Sequence, residues 1–543
     1  MEHGHPASAG EAAASNADAT NEKSEPFMDS TIRVTTGLVA AIVLAACARE
    51  SAPPCNSDAS GFLITDVRIL DGTGAVPVAG SVRVQDGRIA EVGDVSACGG
   101  ERVVDGGGQV LAPGFIDTHS HADEDILDRR DALPDVSQGI TTVVVGQDGE
   151  SKYPLADFFA NLEAAPATVN VASYVGHGTL RSKVMGDDFK RPASIDEIAY
   201  MKALLADELD SGALGLSTGL EYEPGIYSKT DEVIALAQVA ADAGGRYVSH
   251  VRSEDRWFEA ALDEIIRIGR ETHMPVQVSH IKLAMKRLWG TAPQLIAKLE
   301  AARAEGIDIT ADIYPYTYWQ ATMMVLLPDR DPTDREAIAE VLDQIAPADG
   351  IWFTQFEPDP TYVGKTLTEI AALRKEDAVT AFSEIAQEAL VWEKEHGEGA
   401  EQIIGTSMVD SDVEQLFAWP YTDVCTDGAI VDLHPRHIGS FPRVLGRFVR
   451  EDHVVPLAEA VRKMTGLAAH NMGFTDRGLI RPGFAADLVL FDPDTVIDRA
   501  TPQQPNSLSP GIRTVWVGGE VVYTDGAVTD ARPGKVVRRK MRP

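Results

Sequence analysis

The sequence lacks the features that define several protein classes. It has 48 Lys and Arg against 83 Asp and Glu, a net charge of −35, which argues against nucleic-acid binding because that function needs a basic surface. No basic patch suggests a membrane contact of the folded body. The apolar run at residues 37–46 is too short to cross a bilayer. These absences leave an acidic chain with a well-hydrated surface.

Two histidines, His119 and His121, stand one residue apart in the stretch GFIDTHSHADE, at the end of an apolar strand. Residues i and i+2 of a strand point to the same side, so both imidazoles can reach one metal ion. His250, His280 and Asp427 also follow short runs rich in Val, Ile or Tyr. Alone, His250 or His280 is compatible with a core histidine. Together the five groups predict a metal site, since imidazole and carboxylate are ligands of first-row metals.

Eight short β-branched runs alternate with segments of helical composition. This order implies a parallel sheet, and eight such units close into a (β/α)8 TIM barrel with its active site at the carboxyl ends of the strands. All five predicted ligands fall at such ends. The predicted strands are residues 114–121, 140–146, 167–176, 213–220, 246–250, 275–280, 307–313 and 422–425, and predicted helices include residues 195–209, 230–243, 257–272 and 292–305.

Nine motifs between about residues 61 and 538 occur in the order of a known family. The chain resembles the amidohydrolase superfamily and, within it, the D-aminoacylase (N-acyl-D-amino-acid deacylase) family. The resemblance implies a hydrolase that cleaves the amide bond of N-acyl-D-amino acids or D-containing dipeptides, with one zinc ion or, as we expect, two; the D configuration rests on resemblance alone. The motifs are GFIDTHSH, YVGHGTLR, GALGLSTGL, SHVRSE, VQVSHIK, DIYPY, TDGA, HPR and GLIRPGFAADLVLFD.

One departure from the family concerns a metal ligand. Typical members carry GNCG after the second strand, where this chain has GQDG, with Asp148 in place of the cysteine. After the fourth strand stands Glu221, where many members have an apolar residue. We expect Glu221 to bridge two metals, one on His119, His121 and Asp427 and the other on His250 and His280. The alternative is that Glu221 is solvated and Asp148 substitutes for the cysteine.

The expected mechanism uses hydroxide generated from water. A bound metal lowers the pKa of water from 15.7 to roughly 7 and can polarise the scissile carbonyl. Asp427 would accept the proton and deliver it to the leaving nitrogen, because an amine leaves badly without protonation. A carboxylate facing an apolar barrel floor is otherwise unfavourable.

The resemblance also suggests substrate-binding residues. Lys282 and either Tyr314 or Tyr316 would bind the α-carboxylate, to which they can donate hydrogen bonds. Tyr222 would lie near the carbonyl oxygen. Arg252 and Arg436 are further cationic candidates, with a structural ion pair as the alternative for each, and His177 is either a carbonyl-polarising donor or, as we favour, a loop anchor.

Short strands flank the predicted barrel of residues 114–482. Residues 61–113 and 483–537 resemble the composite β-sandwich of the superfamily. The long connection at residues 327–419 resembles the family's insert, which forms a lid over the acyl end of the substrate.

The first residues carry export signals. Residues 1–27 are either disordered or upstream of a true start at Met28. Residues 28–47 resemble a lipoprotein signal peptide ending in LAAC, with Cys47 lipidated; an ordinary cleaved signal is the alternative. The enzyme would be exported to the periplasm or cell envelope, with Cys47 as its membrane anchor. Cys55 and Cys98 would then form a disulfide, and Cys425 would be a packed core thiol.

Three functions compete on this evidence. The first is the metal-dependent deacylase. The second is a cyclic amidase of the dihydroorotase or hydantoinase type. A lysine at the end of the fourth strand would indicate that type, and this chain has Glu221 there. The third is a non-catalytic ligand-binding lipoprotein, against which the intact Asp427 and four histidines argue. The sequence does not indicate an oligomeric state.

Overall fold

The computed structural model of the protein describes residues 61–397 and 399–540. The predicted signal peptide, Cys47 and Cys55 lie outside these residues. Within them, no helix combines the length and the apolar character that crossing a membrane requires.

The described chain alternates strands and helices through its middle and is strand-rich at both ends. The strands are β1 (Gly61–Ile69), β2 (Val78–Gln85), β3 (Arg88–Gly93), β4 (Arg102–Asp105), β5 (Val110–Pro113), β6 (Phe115–Asp117), β7 (Ile140–Val145), β8 (Asn170–Ser173), β9 (Val175–Gly176), β10 (Gly215–Gly219), β11 (Arg246–His250), β12 (Val276–Val278), β13 (Ile309–Ile313), β14 (Tyr318–Ala321), β15 (Ile351–Phe356), β16 (Glu401–Thr406), β17 (Thr422–Val424), β18 (Leu488–Phe491), β19 (Ile512–Val517), β20 (Glu520–Thr524) and β21 (Ala527–Val528). The helices are α1 (Leu133–Ser137), α2 (Leu155–Ala164), α3 (His177–Met185), α4 (Ile195–Asp210), α5 (Thr230–Asp242), α6 (Phe258–Thr272), α7 (Ala292–Ala304), α8 (Arg335–Glu340), α9 (Leu367–Arg374), α10 (Ala378–His396), α11 (Asp410–Ala418), α12 (Arg436–Arg443), α13 (Leu457–Arg462) and α14 (Ala468–Met472).

Each of the eight predicted strands contains an observed strand, and the one at 167–176 is divided into β8 and β9. They form two parallel sheets, in the orders β6-β7-β8 and β9-β10-β11-β12-β13-β17. The backbone N–H of Leu214 donates to Ser173 O (2.8 Å), and that of Asp427 donates to His119 O (2.8 Å). These bonds join the two sheets at both edges, so the carboxyl ends of the strands converge.

The four predicted helices are confirmed as α4 to α7, with ends that differ by one residue at most. The start of α4 has a local cause. Ser194 accepts a hydrogen bond from the backbone of Glu197, whose side chain accepts one from the backbone of Ser194. This capping box satisfies two backbone donors that the first turn of a helix leaves free.

A nine-stranded sheet combines the two ends of the described chain. Strands β1 to β5 pair with β18 to β21, through the contact of β5 with β18. One face carries its own apolar cluster, which includes Ile64, Val82, Leu488 and Trp516. The terminal segments thus share one sheet and one core.

The long connection after β13 contains a small subdomain. Strands β14, β16 and β15 form an antiparallel sheet accompanied by α8, α9 and α10. The subdomain begins earlier than the predicted residue 327, because Tyr318 to Ala321 pair with Ile403 to Thr406.

Candidate metal centre and substrate pocket

His119, His121, Asp148 and Asp427 bring their ligand atoms together at the carboxyl ends of β6, β7 and β17. The Nε2 atom of His119 lies 3.4 Å from both Asp148 Oδ1 and Asp427 Oδ1. The Nε2 atom of His121 lies 3.5 Å from Asp148 Oδ2 and 3.3 Å from Asp427 Oδ1. Two imidazoles and two carboxylates converging at this spacing form a set that can hold one metal ion.

A second group shares Asp148 with the first. His250 Nδ1 lies 3.1 Å from His280 Nε2, and His280 Nε2 lies 3.4 Å from Asp148 Oδ1. These three residues could hold another metal ion. Asp148 is therefore the carboxylate common to the two histidine pairs.

Glu221, which the sequence predicted to bridge the metals, lies beside the second pair only. Its Oε2 atom is 3.1 Å from His250 Nε2, the ring nitrogen that faces away from His280. It groups with His250 and Glu254 and does not belong to the group around His119 and His121. These contacts favour Asp148 over Glu221 as the bridge.

Three site residues have a left-handed backbone. The φ angles are +52° at Asp148, +34° at His280 and +51° at Asp427. Non-glycine residues rarely adopt this region, and such strain concentrates at functional sites. Next to Asp148, Gly149 has a φ of +81° and a Cβ there would lie 2.6 Å from Gly219 N. The GQDG turn thus needs its second glycine to turn Asp148 inward.

The carboxylates create a negative environment around the rings. Burial and nearby Lys282 lower the pKa of His280, but Glu254, Asp427 and Asp148 outweigh them and raise it to about 10. Burial raises the pKa of Asp148, but His119 and His280 hold it well below its usual range. Burial likewise raises the pKa of Asp427, which Arg436 and His280 hold low. Both carboxylates are ionised and favour a cation between them.

Several buried polar atoms in the centre fit a metal ion. Within the described residues, neither ring nitrogen of His119 has a hydrogen-bond partner, and Asp148 Oδ1 has none. Buried polar atoms are normally paired. His119 Nε2 and Asp148 Oδ1 lie 3.4 Å apart in the ligand group, whereas His119 Nδ1 faces Asp312 Oδ1 at 3.9 Å. A divalent cation in the ligand group would satisfy His119 Nε2 and Asp148 Oδ1.

Of the predicted substrate residues, four lie at this centre. Tyr222 packs against His250, with ring centroids 4.3 Å apart. The Nζ atom of Lys282 and the guanidinium carbon of Arg436 lie 5.5 Å and 4.9 Å from the ring centroid of Tyr314. The buried hydroxyl of Tyr314 has no partner among the described residues. Arg436 also forms a buried ion pair with Asp427 Oδ2.

Three other candidates are engaged elsewhere. Arg252 donates two hydrogen bonds to Glu264, of 2.8 and 2.9 Å, which is the structural ion pair considered from the sequence. The Tyr316 hydroxyl lies 3.3 Å from Asp498. Buried His177, the first residue of α3, contacts Glu232 of α5 (2.9 Å), so it connects two helices.

Glu254 was missed as a functional residue. Its Oε1 atom lies 2.9 Å from His280 Nδ1 and 2.6 Å from Lys282 Nζ. The two cationic neighbours and His250 hold its pKa well below the usual range, although burial raises it. The available signal was its position in SHVRSE, four residues after a predicted ligand.

Two of the cysteines, Cys98 and Cys425, lie among the described residues and can be compared with the predictions from the sequence. Cys98 is disulfide-bonded, and Cys55, its expected partner, lies outside the described residues. Cys425 is a free thiol and fully buried, as predicted. Burial raises its pKa well above the usual value, so it is a poor metal ligand.

Comparisons with known proteins agree on one family. The model of the amidohydrolase family matches residues 102–349 and 334–523. An N-acyl-D-glutamate deacylase of Alcaligenes xylosoxydans xylosoxydans is 38% identical over 495 residues, covering 87% of this chain and 95% of that protein.

Two solved structures resemble this chain over almost their full length. One is an N-acyl-D-glutamate deacylase from Bordetella bronchiseptica complexed with zinc and a phosphonate mimic of the tetrahedral intermediate, with a TM-score of 0.78 and 37% identity. The other is a D-aminoacylase described for its binuclear metal centre, with one-metal activation and second-metal attenuation; its TM-score is 0.78 and its identity 36%. Each similarity covers 88% of this chain and 99% of the other.

Proposed function

Because the chain belongs to the amidohydrolase family and, within it, to the N-acyl-D-amino-acid deacylases, we propose that it is a metal-dependent hydrolase of N-acyl-D-amino acids. The observation that carries this proposal is the convergence of four histidines, Asp148 and Asp427 at one end of the parallel strands. A cyclic amidase is less favoured, since the close relatives act on linear amides. A non-catalytic role is less favoured, since the relatives are deacylases.

Zinc would be held in two places that share Asp148. His119, His121 and Asp427 would form the first place, and His250 with His280 the second. When bound, zinc supplies Lewis acidity, which polarises a carbonyl and acidifies water. Glu221 would orient His250 through its other ring nitrogen. Glu254 would orient His280 at Nδ1, a nitrogen that Lys282 Nζ also approaches to 2.7 Å. A ligating imidazole commonly donates its second N–H to a carboxylate in this way.

Asp427 is the group suited to moving the proton. Its Oδ1 atom faces His119 and His121, while Arg436 binds Oδ2. The ion pair fixes the carboxylate and keeps it ionised, so it can accept a proton from water. It would then return that proton to the leaving nitrogen, whose departure as an amine requires it.

The α-carboxylate of the substrate would bind at Tyr314. Its free buried hydroxyl can donate a hydrogen bond, and Lys282 and Arg436 flank its ring. Hydrogen bonds to an ionised acceptor are the stronger kind. Tyr222 would contact the carbonyl oxygen beside His250.

The finer architecture is part of the same proposal. The two parallel sheets would be one (β/α)8 barrel, a view supported by the Leu214 and Asp427 backbone bonds between them. The nine-stranded sheet would be the composite β-sandwich, and the subdomain around β15 would be the lid.

Export with a lipid anchor on Cys47 also remains our proposal. A Cys47→Ser variant that stays anchored like wild type would refute the anchor.

The function is tested by assaying the purified zinc-loaded protein against N-acetyl-D- and N-acetyl-L-amino acids, D-containing dipeptides and dihydropyrimidine rings. We expect release of D-amino acids, lost in Asp427→Asn. Turnover of the rings alone would refute the deacylase assignment. Equal absence of turnover in wild type and variant, with zinc bound, would refute hydrolysis of these amides.

A further inference from the structure

A cavity of about 340 Å³ lies at the end of the parallel strands opposite the metal centre. Its wall includes Thr310 near the start of β13, Tyr421 just before β17, and Thr73 from the loop after β1. The metal ligands, in contrast, follow the carboxyl ends of the strands. A volume of this size is within the range of small-molecule sites, roughly 300 to 1,000 Å³.

The cavity is lined by more cationic than anionic side chains. Arg303, His470 and Asp308 face it, and so does Arg462, whose guanidinium is bound by Glu459 (2.7 and 2.8 Å). The chain as a whole carries a net charge of −35. Since Glu459 pairs with Arg462, Arg303 is the lining arginine that keeps donors for an anionic ligand.

The donors of this cluster are only partly used. Arg303 Nη1 donates to Ile309 O (2.6 Å) and lies 3.4 Å from Asp308 Oδ1. The other two guanidinium nitrogens have no partner among the described residues. Its guanidinium lies 3.5 Å from the ring centroid of Tyr421, which orients the plane. The imidazole of His470 is exposed and has no partner in the described chain.

An acceptor completes the wall. Asn471 is 6% exposed, and its Nδ2 donates to Asp423 Oδ2 (2.7 Å). Its amide oxygen has no hydrogen-bond partner in the part of the chain that the structure describes. Leu467 and Leu479 add apolar surface. The wall thus offers a planar cation, a hydrogen-bond acceptor and a small apolar face.

We infer that this cavity is a second ligand site, for a small organic carboxylate. The planar fork of Arg303 matches the two oxygens of a carboxylate, and the leucines suit a short carbon skeleton. The proposal does not rest on the proposed hydrolysis, since the cavity shares no side chain with the metal centre.

The floor of the cavity is connected to a predicted metal ligand. Thr310 Oγ1 donates to Gln277 Oε1 (2.9 Å), Gln277 Nε2 donates to Asp312 Oδ2 (2.7 Å), and His280 N donates to Asp312 Oδ1 (2.6 Å). A ligand that moves Thr310 would act on the backbone of His280 through three hydrogen bonds.

The test is calorimetric titration of the purified zinc-loaded protein with glutarate and, separately, with inorganic phosphate. Arg303→Met retains the packing on Tyr421 but removes the fork, and we expect it to weaken glutarate binding about 10-fold or more. His470→Glu, at an exposed position, should weaken it as well. Hydrolytic kcat/KM without glutarate should stay at the wild-type value in both variants.

Arg270→Met is the matched control, because Arg270 occupies the last turn of α6 as Arg303 does that of α7, and pairs with Glu305 outside the cavity. It should bind glutarate like wild type. Glutarate affinity unchanged in both Arg303→Met and His470→Glu would overturn the site. Binding of phosphate but not glutarate would overturn the carboxylate assignment. If Arg303→Met fails to fold, His470→Glu alone decides.

Discussion

The two halves of the candidate metal centre are built differently. In the second half, His250 contacts Glu221 and His280 contacts Glu254, so both rings have a carboxylate on the side away from the shared Asp148. In the first half, the carboxylate on the far side of His119 is more distant: Asp312 Oδ1 lies 3.9 Å from Nδ1, too far for a hydrogen bond. A ring already fixed loses less freedom on binding a metal. The second half should therefore hold its metal ion more tightly.

The largest effect is expected at the residue that both halves share. Asp148→Asn should lower the metal content of both and reduce kcat/KM by at least about 10³-fold, because a neutral amide cannot offset two dications. Elemental analysis and deacylase assays measure the two effects. Asp135→Asn is the matched control, since Asp135 is a buried aspartate (4% exposed, against 11% for the side chain of Asp148) that lies outside the metal groups. Full metal content in Asp148→Asn would show that Asp148 is not a ligand shared by the two halves. The two halves could then not be compared as parts of one centre.

Substitution of Asp427 should affect catalysis much more than metal binding. In Asp427→Asn we expect most of the metal to remain and kcat to fall by roughly 10²- to 10⁴-fold, because an amide cannot carry the proton. Any metal that is lost should come from the first half. Activity close to wild type would exclude Asp427 from proton transfer.

Glu254→Gln should weaken only the second half. Loss of the negative charge beside His280 Nδ1 should reduce the affinity of the tighter metal by about 10-fold, the low end of the usual effect of such partners. Competition with a chelator, followed for both metal ions, measures it. If the weaker ion is the one affected, the assignment of the tighter ion to His250 and His280 is wrong.

The smallest effect is expected for Glu221→Gln, since an amide oxygen can still accept a hydrogen bond from His250 Nε2–H. We expect a reduction of only a few-fold in second-half affinity and no change in the first half. The same chelator competition applies. Loss of both metal ions would show that Glu221 is the bridging ligand, as the sequence predicted.

Much of the architecture could be predicted from local pattern. The β-branched run 246–250 is a strand to the residue, and Ile195 to Asp210 form a helix that Ser194 caps. The insert was placed too late because the pairing of Tyr318 with Thr406 joins residues 88 positions apart, and local sequence does not encode such partners.

The identity of the bridging carboxylate could not be read from the sequence. Asp148 and Glu221 both follow a strand, and both are acids. The left-handed backbone of Asp148, followed by Gly149, turns its side chain between the histidine pairs. Similarly, Arg252 and Arg436 are equivalent as cations, and only their neighbours, Glu264 and Asp427, distinguish an anchor from a residue of the site.

The sequence by itself determined the family, the parallel strands and the histidines that follow them, because those depend on residue type and on spacing along the chain. The tertiary structure decided which carboxylate is shared and which cations lie at the metal centre, and it formed the cavity at the far end of the strands. These features depend on distances of a few ångströms between segments far apart in sequence. Such distances are set by how loops bend and pack, which no local pattern specifies.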